Sequence, residues 1–174
     1  MSLEKILSER RSAICEKWFD RVIRTYPEET AVFLKSRKNR FANPVGHILF
    51  QELEALLNGL IQGVEIESLR SNVDNIVRIR AVQDFTASQA VIFILLLKEV
   101  VREELEEEIR QNRIGKALLD WESRVDALTL LAFDVFMLCR EKIYDLKANE
   151  LQKRTVGLLK RAGLLVQDGP ETPI

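Results

Sequence analysis

Apolar residues recur at three- and four-residue steps along almost the whole chain, the spacing of one helix face, and no segment alternates as a strand would. Leu3, Ile6, Leu7, Ile14, Trp18, Val22 and Ile23 form one stripe and predict a helix from Ser2 to about Thr25. Tyr26-Pro27 ends it, because a residue before proline is pushed out of the α region. Pro27 suits the first turn of a shorter helix through Lys35, with Glu28 and Glu29 near its positive end. In RFANPVGH, residues 40 to 47, Asn43 reads as an N-cap and Pro44 as the first residue of a helix to about Gly63. Val45, Leu49, Leu53, Leu56, Leu57 and Leu60 give that helix its apolar face. His47, the sole histidine, aligns instead with Gln51, Glu54, Asn58 and Gln62, on the polar stripe. Gly46 leaves room in the first turn for another backbone or a large side chain.

Residues 65 to 82 carry Ile66, Leu69, Val73, Ile76 and Val77 at helical spacing. Thr86 and Gln89 then make a T-x-x-Q capping box, with Phe85 and Ala90 placed to form a hydrophobic staple. The helix from Ala87 to about Arg110 is apolar all round in its first two turns and acidic at its end. The last helix, about Lys116 to Leu146, repeats Leu118, Trp121, Val125, Leu128, Ala132, Val135, Cys139 and Leu146, with Lys142 the one polar interruption. Leu130, Leu131, Phe133, Phe136 and Met137 give it a second apolar face. One face can serve the core and the other a second copy; the expected dimer seam is Leu118, Trp121, Val125 and Leu128. Asp134 interrupts the apolar run, and Arg78 or Arg80 is its expected partner. The pattern weakens after Asn149 and QDGPETPI reads as a mobile tail, giving a domain over 1–147 and a helical extension and tail over 148–174.

Composition narrows the function classes. A formal charge of −1 gives no long-range attraction for nucleic acid or an anionic membrane, and the basic run SRKNR, 36 to 40, is short. The longest apolar run, AVIFILLL at 90 to 97, is too short to cross a bilayer. MSLEKILSERRS lacks the apolar core of a signal peptide, so a cytoplasmic location is expected. Cys15 and Cys139 form no C-x-x-C pair and sit among apolar residues, as buried thiols in a reducing compartment do. One histidine on a polar stripe, with no G-x-S-x-G and no phosphate-binding glycine loop, argues against an enzyme. The acidic run Glu103 to Glu108 has no histidine near it and, linked to Arg102 and Arg110 at four-residue steps, reads as a solvated face rather than a metal site.

FANPVG, followed some thirty residues later by IVRIRAVQDFTASQAVIFI and LLKE, resembles the amino-terminal domain of RsbR-type (RsbRD) co-antagonists, the sensory components of bacterial stressosomes. The resemblance covers nearly all of residues 1 to 147. It implies an all-α, globin-like helical bundle that lacks haem, forms a homodimer and acts as a signalling module. The positions carrying it are Phe41, Asn43, Pro44 and Gly46, then Arg78, Arg80, Gln83 and Phe85, and no catalytic residue comes with them. Those co-antagonists continue into a sulfate-transporter and anti-sigma-antagonist (STAS) domain. No alternating strand pattern follows the last helix here, so a free-standing sensor or adaptor is expected, relying on a separate, unknown protein partner. Two other readings remain open: a haem- or tetrapyrrole-binding globin sensor using His47, and an accessory structural subunit of a redox or respiratory assembly.

Overall fold

The computed structural model describes residues 2–36, 43–83, 85–111 and 113–164, and among these residues every regular element is helical. They are α1 (Leu3–Glu9), α2 (Arg11–Ile23), α3 (Glu28–Lys35), α4 (Pro44–Gln62), a 3-10 turn (Ile66–Leu69), α5 (Arg70–Ala81), α6 (Ala87–Glu104), α7 (Glu106–Arg110) and α8 (Gly115–Arg161). The all-α class and the long terminal helix are as the periodicity predicts. Each stripe position of the first segment is buried. That segment is nonetheless two helices, broken at Arg10, whose guanidinium bonds the Glu104 carbonyl and the Glu108 carboxylate. The break coincides with this distant contact, and no local signal in the sequence marks it.

The chain divides into two units, Met1–Cys139 and Arg140–Ile174. In the first, α2 packs on α6 and α4, and α4 on α5. Trp18, fully buried on α2, donates its indole N–H to the Phe93 carbonyl of α6 at 2.6 Å. A buried indole needs such an acceptor, and this one ties the two helices together. Phe19 meets Phe50 of α4 edge to face, 5.5 Å between ring centres. The helix expected over 87–110 is also two helices. Leu105, fully buried, leaves helical geometry at φ −109°, ψ 18°, and Glu106, Glu107 and Glu108 then occupy the first turn of α7, the end that favours acidic side chains. Arg102 turns away from that run to grip Glu122 of α8 through two bonds of 2.6 and 2.8 Å, so the expected four-residue ladder to Glu106 does not form.

In the second unit α8 stays helical to Arg161, fifteen residues beyond the predicted end at Leu146. Residues 147 to 156 contain neither proline nor glycine, and good helix formers such as Lys147, Ala148, Glu150, Leu151 and Gln152 sustain it without burial. It stops where glycine permits a left-handed residue. Gly163, at φ 68°, donates to the Lys160 carbonyl at 3.2 Å, and Leu164 donates to Leu159 at 3.0 Å, the Schellman pattern. The tail 167–174 lies outside the described residues.

Candidate functional site

Asn43 does more than cap α4. Its side-chain oxygen accepts from the Gly46 N–H at 2.8 Å, as the sequence predicts. Its amide nitrogen also donates to three carbonyls at the end of α3: Phe33 at 2.8 Å, Leu34 at 3.0 Å and Ser36 at 3.2 Å. One buried amide therefore closes the C-terminus of one helix and the N-terminus of the next, adding a donor at the Phe33 carbonyl, which also accepts from the Ser36 N–H, and supplying one to the Leu34 and Ser36 carbonyls at the helix end. The close approach expected at Gly46 is that of α3: a Cβ there would lie 2.5 Å from the Leu34 carbonyl oxygen. Pro44, the first residue of α4, is exposed and His47 is half-buried one turn on. Phe41 lies outside the described residues.

The second part of the motif gathers around Arg80. This arginine is fully buried at the end of α5. Its Nη1 donates to the Gln89 carbonyl and its Nη2 to the Thr25 hydroxyl, both at 2.9 Å. The guanidinium carbon stands 4.8, 5.0 and 5.3 Å from the ring centres of Tyr26, Phe85 and Phe93. Such faces attract a cation and suit the weakly hydrated guanidinium. Tyr26 and Phe85 also meet edge to face at 5.3 Å. Burial pushes the Tyr26 phenol up from its ordinary pKa against the pull of Arg80, and burial pulls Arg80 down, opposed by Tyr26. No carboxylate among the described residues pairs with Arg80, and its buried Nε has no hydrogen-bond partner. Gln83 Oε1 is likewise buried and unsatisfied. Arg78, two residues away, is exposed and pairs with Asp74 at 2.5 Å.

The structure corrects two expectations on α8. Leu118 (6 % exposed), Trp121 (5 %), Val125 (0 %) and Leu128 (0 %) are buried within a single chain, so they belong to the core and not to a dimer seam. Their helix is held there by Arg102–Glu122 and by Lys98–Asp126 at 2.9 Å, both reaching from α6. The second face divides: Leu131 and Phe136 are buried, whereas Leu130, Phe133, Met137 and Leu138 are exposed. Asp134 is exposed, and neither Arg78 nor Arg80 is its partner; Arg70 is the cation whose pKa it helps raise, after the larger effect of the Glu67 hydrogen bond. Cys15 is buried, while Cys139 is only half-buried and lies 3.9 Å from Asp74 Oδ1.

Arg80, Gln83 and Phe85 thus come together with Thr25, Tyr26 and Gln89, which the sequence marks only as helix ends and a cap. Among the described residues no group of three or more His, Cys, Asp or Glu side chains is placed to hold a metal ion, and no helix is long and apolar enough to cross a membrane. An all-helical chain with these two polar nodes, the double cap at Asn43 and the caged Arg80, is matched over residues 12–151 by the family model described as the RsbT co-antagonist protein RsbRD N-terminal domain. The chain belongs to that family. No curated protein and no solved structure matches it, so the globin-like part of the expectation stands on the family resemblance.

Proposed function

We propose that this chain is a non-enzymatic sensor or adaptor domain of bacterial stress signalling, working in the cytoplasm as a homodimer that passes its signal to a separate protein partner. Family membership supports the signalling role. The observation that carries the dimer is the apolar face left uncovered on α8. In the first unit Leu130 is 69 % exposed, with Phe133 and Met137 beside it at helical spacing. In the second, Tyr144, Leu151 and Leu158 are exposed at seven-residue steps, the repeat of a helix pair. Covering such a face gains about 25 cal/mol per Å² of apolar surface, and a twofold pairing covers it on both copies at once.

Sedimentation of the wild-type chain is expected to give a dimer, and Leu130→Glu with Met137→Glu a monomer of unchanged helicity. A wild-type chain that sediments as a monomer at high micromolar concentration would remove the dimer. Haem is not expected to bind. An axial histidine must enter an apolar pocket, and His47 follows the polar side of α4. Haemin titration should leave no sharp Soret band, and a near-stoichiometric band lost in His47→Ala would restore the haem-sensor reading. Capture of partners from cell extract, identified by mass spectrometry, separates a signalling protein from a redox or respiratory assembly.

A further inference from the structure

From Arg140 to Arg161 the residues of α8 are exposed or half-buried throughout, yet they follow a seven-residue repeat. Tyr144, Leu151 and Leu158 make one exposed row of it. A helix pair needs a second row in its seam, three or four residues after the first. Three residues on stand Lys147, Arg154 and Arg161, which a seam would have to bury as charges. Four residues on stand Ala148, Thr155 and Ala162, small and uncharged, and the Thr155 hydroxyl already donates to the Leu151 carbonyl at 2.9 Å. The seam is therefore fixed as the apolar row with the small row beside it. Its two flanks differ in charge. The flank just before each small residue is basic at every repeat, with Arg140, Lys147, Arg154 and Arg161. The flank just after each apolar residue holds Asp145, Gln152 and Leu159, and no cation.

We propose that a second copy of the chain lies along this seam in parallel, with the carboxy-terminal ends of both α8 helices side by side. The inference rests on the dimer proposed above and gives that dimer its direction. The flanks decide it. In a parallel pair each flank residue meets the opposite flank of the other helix in the next repeat. Arg140 then faces Asp145 of the second copy, Lys147 faces Gln152, and the stem of Arg154 covers Leu159, each contact made twice by the twofold axis. In an antiparallel pair each flank meets itself. The basic row then runs beside the basic row of the second copy, with no acid opposite, and such like-charge contacts select against that arrangement. Arg154 has Glu150 on its own helix, but an exposed pair contributes little and does not reverse the sign of the row. Glu141 counts the other way, because parallel pairing sets it against its own copy one turn before Tyr144. Arg140 stands next to it on both chains, and one such contact weighs less than a whole basic row. A separate signalling partner then meets two α8 ends together, as one twofold surface.

The test is disulfide trapping in the full chain. Tyr144→Cys and Leu158→Cys are made singly, each together with Cys139→Ser, Cys15 being buried, and are oxidised in air with copper phenanthroline. Positions 144 and 158 stand about 21 Å apart along a helix, so an antiparallel pair can bring at most one of them to its own copy, whatever its offset. Parallel pairing brings both. Each variant is expected to form a disulfide-linked dimer at least about tenfold faster than Lys153→Cys in the same background, which lies outside the seam and reads chance collision. All three positions are exposed, so circular dichroism of the reduced variants should match the wild type. Trapping at only one of the two positions, or only when the two variants are mixed, overturns the parallel arrangement. Trapping at neither while the wild type sediments as a dimer overturns it as well and leaves the dimer standing. A wild type that sediments as a monomer at high micromolar concentration removes the dimer, and its direction with it.

Discussion

Asn43→Ala is expected to lower the stability of the chain by about 2–3 kcal/mol, more than the loss of an ordinary N-cap, which costs about 1 kcal/mol. The excess comes from the other end of the amide. Removing Nδ2 takes a donor from the Phe33, Leu34 and Ser36 carbonyls; Phe33 keeps the Ser36 N–H, but the bond to Leu34 is buried, and a buried polar group left without a partner costs about 1–3 kcal/mol. At this chain length that corresponds to a fall of roughly 5–10 °C in Tm. Asn43→Asp separates the two halves of the role. It keeps the oxygen that accepts from Gly46 but sets a carboxylate against the α3 carbonyls, so it should not recover wild-type stability. Gly46→Ala tests the same corner from the other helix. Alanine is the better helix former by about 1 kcal/mol, yet its Cβ would meet the Leu34 oxygen at 2.5 Å, and overpacking costs about 1–3 kcal/mol. A net loss is expected. His47→Gln, half-buried on the same helix, should change stability by less than about 0.5 kcal/mol. Thermal melts that ranked the histidine change above the asparagine change would show that this corner does not hold the helices together.

Much of this corner was legible in the sequence, and the reason is that it is local. Asn-Pro before an apolar period marks a helix start, Thr86 and Gln89 mark another, and Gly63 marks a stop, reached here at φ 71°. What escaped was non-local. Asn43 bonds back to the end of α3, and the break at Arg10 in a continuous stripe coincides with its bonds to Glu104 and Glu108, nearly a hundred residues away. Arg80 is a different case, because its burial left a trace. It stands seven residues after Val73, four after Ile76 and three after Val77, on the apolar stripe of α5 itself. Glu122 shows the same trace, four residues after Leu118 and three before Val125. A charge in register with a buried stripe signals a buried charge, and both proved to be held by dedicated partners. No trace of that kind distinguishes the two faces of α8. Leu118, Trp121, Val125 and Leu128 share helical spacing with Leu130, Phe133 and Met137, and only the placement of distant segments, α6 through Lys98 and Arg102 and the Val64 carbonyl through Arg124, tells which set enters the core.

Val125→Glu with Leu128→Glu is therefore expected to unfold the chain rather than divide a dimer. Both side chains are 0 % exposed, and each contributes roughly 1.5–3 kcal/mol by being buried. Two carboxylates in their place add a desolvation cost of several kcal/mol each, or must be protonated to stay inside. A domain stable by about 5–15 kcal/mol does not survive both losses. Far-UV circular dichroism should show the helical signal collapsing, and size-exclusion chromatography an expanded or aggregated species. The contrast with Leu130→Glu and Met137→Glu makes the assignment sharp. Those two residues are 69 % and 39 % exposed, so charges there meet water in a single chain and meet each other only when two chains pair. One pair of substitutions should remove the fold and the other only the association. If the Val125 and Leu128 variant stayed helical and became monomeric, these residues would form a seam between chains, and the packing of α8 against α6 would be wrong.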